Sequence, residues 1–260
     1  MPTRDEAWPN GTPCWIDLMV TDTAAAGQFY SSLFGWHIQE GPPEAGGYLM
    51  CMLKGRAAAA ISPKPWDNPF PDIWSTYLAS DDLDTTAAKA KEAGSEFVME
   101  PMDVMTAGRL AFAVDPSGAP YGIWQAGDHT GVGVYNEPGA LVWNELMTRD
   151  YEGAKAFYAK VFGFAYREIG EGFAYSTIHR LCDGEVVAGM GELGITTPKE
   201  VPASWVVYFR VEDADASAAA AVRLGASILR QPFDTPFGRM SSLIGAQGEA
   251  FSLIQAASEE

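Results

Sequence analysis

The sequence predicts an α+β protein made of four βαβββ modules arranged as two tandem units. Three observations carry this: an internal repeat, a regular change from strand to helix period within each copy, and a glycine-rich join. The repeat sets CWIDLMVTDTAAAGQFYSSLFGW against VWNELMTRDYEGAKAFYAKVFGF, 128 residues later. It matches Trp15 to Trp143, Asp17 to Glu145, Asp22 to Asp150 and Phe29-Tyr30 to Phe157-Tyr158. It resumes at an offset of 131, where WSTYLASDDLDTTAAKAKEAGSEFVMEP aligns with WVVYFRVEDADASAAAAVRLGASILRQP. Such self-similarity is a tandem duplication. The join lies at residues 126–139, AGDHTGVGVYNEPG, with domains expected at 8–127 and 138–257.

Each element follows from its residues. CWIDLMV alternates as a strand, with Trp15, Asp17 and Met19 on one face and Ile16, Leu18 and Val20 on the other. Asp22-Thr23 cap a helix through AAAGQFYSSLFG, which Gly35 closes. GYLMCML and RAAAAIS follow as strands. The second module repeats the order, with strand WSTYLAS, a cap at Asp81/Asp82, a helix to Gly94, and strands around EFVMEP, GRLAFAVD and APYGIWQ. WDNPFPDIW, residues 66–74, reads as a loop crossing between modules whose aromatics can lid a pocket. Because the pattern is complete in both copies, each half is expected to keep its own core.

Composition bounds the partners. The 260 residues hold 17 Lys+Arg against 34 Asp+Glu, a formal charge of −17. No window gathers the basic residues that phosphates demand, so nucleic acid is excluded, and the acidic excess argues against an anionic membrane surface. A 47% apolar and 12% aromatic content suits a chain with a large buried core. There is no secretory-type apolar segment at the amino terminus and no run of about 18 apolar residues to span a bilayer, so a cytoplasmic location is expected. Cys14, Cys51 and Cys182 are odd in number and far apart, which suits reduced core residues better than a disulfide framework.

VTDTAAAGQFYSSLFGW, TRDYEGAKAFYAKVFGF and AVDPSGAPYGIW together resemble the vicinal oxygen chelate superfamily, which includes glyoxalase I, extradiol dioxygenases and the bleomycin and fosfomycin resistance proteins. The tandem form is similar to duplicated actinobacterial members of glyoxalase or hydroxylase type. The resemblance covers nearly the whole chain. It implies cupped mixed sheets with helices outside, function inside each cup, and a single chain that is a pseudo-dimer, monomeric or paired again as a homodimer. It also implies a divalent metal, but the positions that would hold the ligands carry Trp15 and Trp143 on the first strands and Gly122 and Ser252 on the last. The equivalent second-module positions offer Ser75 or Thr76, and Val206 or Val207. None is a good donor for a borderline metal, so no metal and no other cofactor is expected. His37 follows the first helix, His129 lies in the join, and His179 alone falls on a strand.

Strand alternation then points Trp15, Asp17 and Met19 into one cup and Trp143, Glu145 and Met147 into the other. A buried carboxyl must be protonated, hydrogen-bonded or paired. Asp17 and Glu145 are thus either acid/base or ligand-anchoring groups, or halves of internal ion pairs to Arg109 or Arg239, which also recur between copies. Tyr48 and Tyr175, and Tyr77 and Tyr208, occupy matched strand positions and suit either core packing or a pocket for a planar ligand. His179 is a strand histidine with either a ligand-binding or a structural place. Two functional classes follow: a cup that binds or sequesters a small apolar or aromatic metabolite without metal, and a metal-independent lyase, isomerase or hydroxylase-like enzyme using Asp17 or Glu145.

Overall fold

The computed structural model describes residues 2–64, 71–169 and 172–257. The first module comprises β1 (Pro13–Val20), α1 (Thr23–Phe34), β2 (His37–Glu40), β3 (Leu49–Leu53) and β4 (Arg56–Pro63). The second comprises β5 (Ile73–Ala79), α2 (Leu83–Glu92), β6 (Glu96–Val104), β7 (Gly108–Val114) and β8 (Pro120–Ala126). The second half repeats them. Its third module has β9 (Leu141–Thr148), α3 (Tyr151–Phe162), β10 (Phe164–Glu168), β11 (Tyr175–Arg180) and β12 (Val186–Glu192). The fourth has β13 (Ser204–Arg210), α4 (Ala214–Arg223), β14 (Ser227–Thr235), β15 (Gly238–Ile244) and β16 (Ala250–Ala256). Residues 66–70 of the expected lid lie outside the described residues. Among the described residues no helix is long and apolar enough to cross a membrane.

The helix starts are the ones the aspartates mark. Asp22, Asp82, Asp150 and Asp213 each accept a hydrogen bond from the backbone N–H three residues on, at 2.9, 3.0, 3.1 and 2.8 Å. α1 and α3 end on Gly35 and Gly163 in the left-handed region, at φ 73° and 70°. α2 instead closes on Ala93 in a right-handed conformation, one residue before the expected Gly94. After α1 the strand segments read from sequence are joined by β2, an edge strand pairing with β3.

Each half folds its eight strands into one mixed sheet, ordered β2-β3-β4-β1-β5-β8-β7-β6 and β10-β11-β12-β9-β13-β16-β15-β14. The two modules of a half meet where their first strands run antiparallel, Trp15 opposite Tyr77 and Trp143 opposite Tyr208. This pairing bends both modules around one concave face.

The cores correct the expectation that each half buries its own. One cluster joins Tyr30, Phe34 and Trp74 of the first half to Phe209, Phe251 and Leu253 of the second. The other joins Leu78, Tyr121 and Ile123 to Phe157, Tyr158 and Trp205. The repeated FY tyrosines clamp them. Tyr30 donates to Glu249 of the other half at 2.8 Å and accepts from the Trp74 indole at 3.0 Å. Tyr158 donates to Asp115 of the other half at 2.9 Å and accepts from Trp205 at 2.9 Å. Asp115 and Glu249 are both buried, and burial pushes both carboxyls up from their ordinary values. A complete strand and helix pattern does not imply a complete core: the faces carrying Ile16 and Leu146 turn away from the cups and towards helices and the opposite half.

Candidate functional site: two cups with a buried acid

In the first cup β1 presents Trp15 and Asp17 from the concave face, β5 brings Tyr77, and the approach to β3 brings Tyr48. Tyr77 and Tyr48 both donate to Asp17 Oδ2, at 3.0 and 3.4 Å, and the Trp15 indole N–H donates to the Tyr48 hydroxyl at 2.9 Å. Asp17 is only 6% exposed. Burial pushes its carboxyl up to about 7, and the two tyrosine hydrogen bonds only partly offset that. Burial, then the nearby Asp17 charge, pushes both tyrosine hydroxyls up.

The second cup repeats the arrangement one methylene longer. Tyr208 and Tyr175 donate to the two Glu145 oxygens at 2.5 and 2.9 Å, and Trp143 donates to Tyr175 at 3.3 Å. Burial again raises the carboxyl against the pull of the two tyrosines. The neighbouring strand compensates for length: Asp17 lies beside Ala60, whereas Glu145 lies beside Gly189. A Cβ at position 189 would overlap the Tyr175 hydroxyl, so the longer acid network requires the smaller neighbour.

Each acid opens on a cavity. The first, about 510 Å³, is walled by Trp15, Tyr48, Met50, Tyr77, Leu110 and Trp124, with Glu44 and Asp103 also on its lining. The second, about 380 Å³, is walled by Trp143, Tyr175, Tyr208, Phe237, Met240 and Ile254. Aromatic walls around one convergent polar cluster are the usual make-up of a small-molecule pocket.

The arginines are elsewhere, which removes the internal ion pair. Arg109 binds Asp84 at 2.8 Å and Asp103 at 2.9 Å on the surface. Arg239 binds Asp215 and Asp234 in the same way. Neither reaches Asp17 or Glu145, so their expected ligand-binding place is corrected: they tie the second helix of each half to a β-hairpin. Met19 and Met147 share the strand faces of the acids but do not line either cavity. His179 is also off the cavity wall, exchanging hydrogen bonds with Thr177 at 2.8 Å and the Gly184 carbonyl at 3.0 Å.

His129 and Arg210 are among the lining residues that sequence reasoning does not place in a cup. His129, in the join between halves, folds back into the first cup with its ring edge-on to Trp15 at 4.3 Å, while its carbonyl accepts from the Trp124 indole at 3.0 Å. Burial lowers this imidazole to about 4, which keeps it neutral. Arg210 ends β13 on the Tyr208 face and lines the second cup. No sequence pattern marks either: the first depends on where the join returns, the second on a position that is Ala79 in the other copy.

The side chains at the resemblance's metal positions do not fit a metal. Trp15 and Trp143 supply no donor suited to it, and Gly122 has no side chain. The Tyr77 ring stands in the space a side chain at 122 would need. Ser252 pairs with Ser242 at 3.1 Å. Among the described residues no three His, Cys, Asp or Glu side chains converge. Elemental analysis of protein purified without chelator is expected to show Zn, Fe, Mn and Ni all well below one per half; one equivalent of any of them would overturn the assignment.

Two cupped sheets of paired βαβββ modules define the class, and the chain belongs to the Glyoxalase/Bleomycin resistance protein/Dioxygenase superfamily, whose profile matches residues 14–121 and 140–250. Among its relatives, the protein named "Putative glyoxylase CFP32" of Mycobacterium tuberculosis (strain CDC 1551 / Oshkosh) is 42% identical over the full length of both chains. Anthracycline biosynthesis protein DnrV of Streptomyces peucetius is 36% identical, over 94% of this chain and 93% of its own. In fold the chain is similar to the Mn(II)-bound glyoxalase from Novosphingobium aromaticivorans, with a TM-score of 0.65 and 14% identity over 95% of this chain and 83% of that one. It is also similar to 2,2',3-trihydroxybiphenyl 1,2-dioxygenase from Sphingomonas wittichii, with a TM-score of 0.63 and 14% identity over 96% and 93%.

Proposed function

We propose that the cups are metal-free binding sites for small apolar or aromatic metabolites, with the first cup taking a planar ligand whose hydroxyl meets Asp17. The observation that carries this is a carboxyl buried at the floor of an aromatic cavity with two tyrosine donors and no cation among the described residues. Asp115 and Glu249 are also buried beside tyrosine donors, but they clamp the interior between the halves, whereas Asp17 opens on a cavity. A ligand O–H completes it. The relatives named for anthracycline biosynthesis, a chemistry of fused aromatic rings, support an aromatic ligand.

A second reading rests on the Asp17 value of about 7. A carboxyl poised there is a competent general base above that pH and a general acid below it, so proton transfer to or from a bound hydroxyl is within its reach.

Titration with 1,2-dihydroxyanthraquinone, followed through quenching of the tryptophans lining the cups, tests the binding. Saturable quenching is expected, with Asp17→Asn weakening it by roughly 1.5–3 kcal/mol, the worth of a charge-assisted hydrogen bond. Binding that is non-saturable, or indifferent to Asp17, would sink the reading. Conversion of the bound compound by the wild type but not the variant would select the enzymatic alternative.

A further inference from the structure

The two cups differ in charge. The described lining of the first contains Asp17, Glu44 and Asp103, the last paired with Arg109 outside the lining at 2.9 Å, but no lysine or arginine of its own. The second replaces those outer acids with apolar side chains and adds Arg210, where the first half has Ala79. Arg210 gives one N–H to the Asn136 carbonyl at 2.7 Å and meets no carboxylate at ion-pair distance among the described residues. A guanidinium carries five N–H donors in a fixed fork, so most of its capacity is unspent. It shares the wall of the cavity with the apolar Trp143, Phe237, Met240 and Ile254, and with Glu145 and its two tyrosines.

We propose that the second cup is selective for apolar organic carboxylates, with Arg210 binding the carboxylate and Glu145, backed by Tyr175 and Tyr208, binding a hydroxyl elsewhere on the same ligand. The inference rests on the reading of the cups as binding sites and adds the ligand's charge. Arg210 is not among the groups acting on the Glu145 carboxyl, whose shift comes from burial and the two tyrosines. Glu145 stands opposite Val206 on β13, and Arg210 lies four residues further along that strand, about 13 Å away at about 3.3 Å per residue, so the guanidinium and the acid mark separate parts of the cavity. Burial also moves Glu145 toward its neutral form, which lessens its repulsion of an anion. An aryl acid with a distal hydroxyl matches both parts, and its ring fills the apolar space between them.

Isothermal titration of the full-length protein with 6-hydroxy-2-naphthoate and with its neutral amide, 6-hydroxy-2-naphthamide, tests this. The acid is expected to bind at least about tenfold more tightly than the amide, as a charge-assisted pair requires. Arg210→Met is expected to abolish that ratio by weakening the acid alone, and Arg210→Lys to restore part of it. Melting curves of both variants check that they are folded; the lysine variant decides the question if the methionine variant is not. Equal binding of acid and amide to the wild type, or a ratio unchanged in Arg210→Met, would overturn the selectivity while leaving the cup as a binding site. No binding of either compound would count against the binding reading of this cup and the selectivity together.

Discussion

Asp17→Asn is expected to melt higher than the wild type at pH 8 and to lose that advantage by pH 4. The sign follows from the carboxyl's displacement, from 3.8 in the open chain to about 7 in the fold. Between those values the folded protein holds a proton that the unfolded chain has released. Stability therefore falls as pH rises through this window and stays low above about 7. The displacement corresponds to roughly 4 kcal/mol. Asparagine keeps an oxygen to accept from Tyr77 and Tyr48 but carries no charge to bury. Allowing for imperfect amide hydrogen bonding, a gain of roughly 2–4 kcal/mol at pH 8 is expected, read as several degrees in Tm. The measurement is the difference between variant and wild-type melts across pH, which cancels the other titrating groups. A variant less stable than wild type at pH 8 would mean that an unrecognised cation supports Asp17. Binding lost while stability is gained is the signature of a group kept for function.

Neither half is expected to survive alone as a stable monomer. Cutting at the join strips Tyr30, Phe34 and Trp74 of Phe209 and Phe251, and leaves Glu249 and Asp115 without their tyrosine donors. It also uncovers Asn144, whose amide donates to Thr76 across the interface at 2.9 Å. Exposing several aromatic side chains, each worth roughly 1.5–3 kcal/mol when buried, exceeds the net stability of an ordinary domain. Residues 1–137 and 138–260 expressed separately should aggregate or self-associate, and co-expression should recover a heterodimer of the parent's elution volume. A monomeric half with a cooperative melt would contradict the shared cores.

The sequence made most of the module plan legible because its signals are local. Aspartate caps, closing glycines and strand alternation each concern a few neighbouring residues; alternation pointed Trp15 and Asp17 at the cup they line, but also Met19, which does not line it, and left Tyr48 and Tyr77 open between core and pocket. The acid's partners were harder to read. Arg109 and Arg239 attracted attention by recurring, yet each satisfies nearby surface aspartates. Tyrosine was the true donor in both cups. Which core each helix joins is likewise invisible, because α1 is equally apolar whether Phe34 packs on its own half or on Phe209. Residues such as His129 and Arg210 depend on long-range placement that no window of sequence contains.

The crossed cores have a consequence for how such a molecule can change. In an assembly of two identical chains every substitution appears in both cups at once, so one site cannot be altered while the other is preserved. Joining the copies end to end keeps the same mutual packing but gives each cup its own set of codons. Arginine could then be tried at position 210 with alanine retained at 79, and the glutamate with its accommodating glycine at 145 and 189 could arise beside an untouched aspartate and alanine at 17 and 60. The residues that bind the halves together are under the opposite constraint, since a change in Tyr30 or Tyr158 takes a donor from a buried acid in the other copy. Within one chain the cavities are free to differ, while each clamp between the halves has to keep a tyrosine in one copy and an acid in the other.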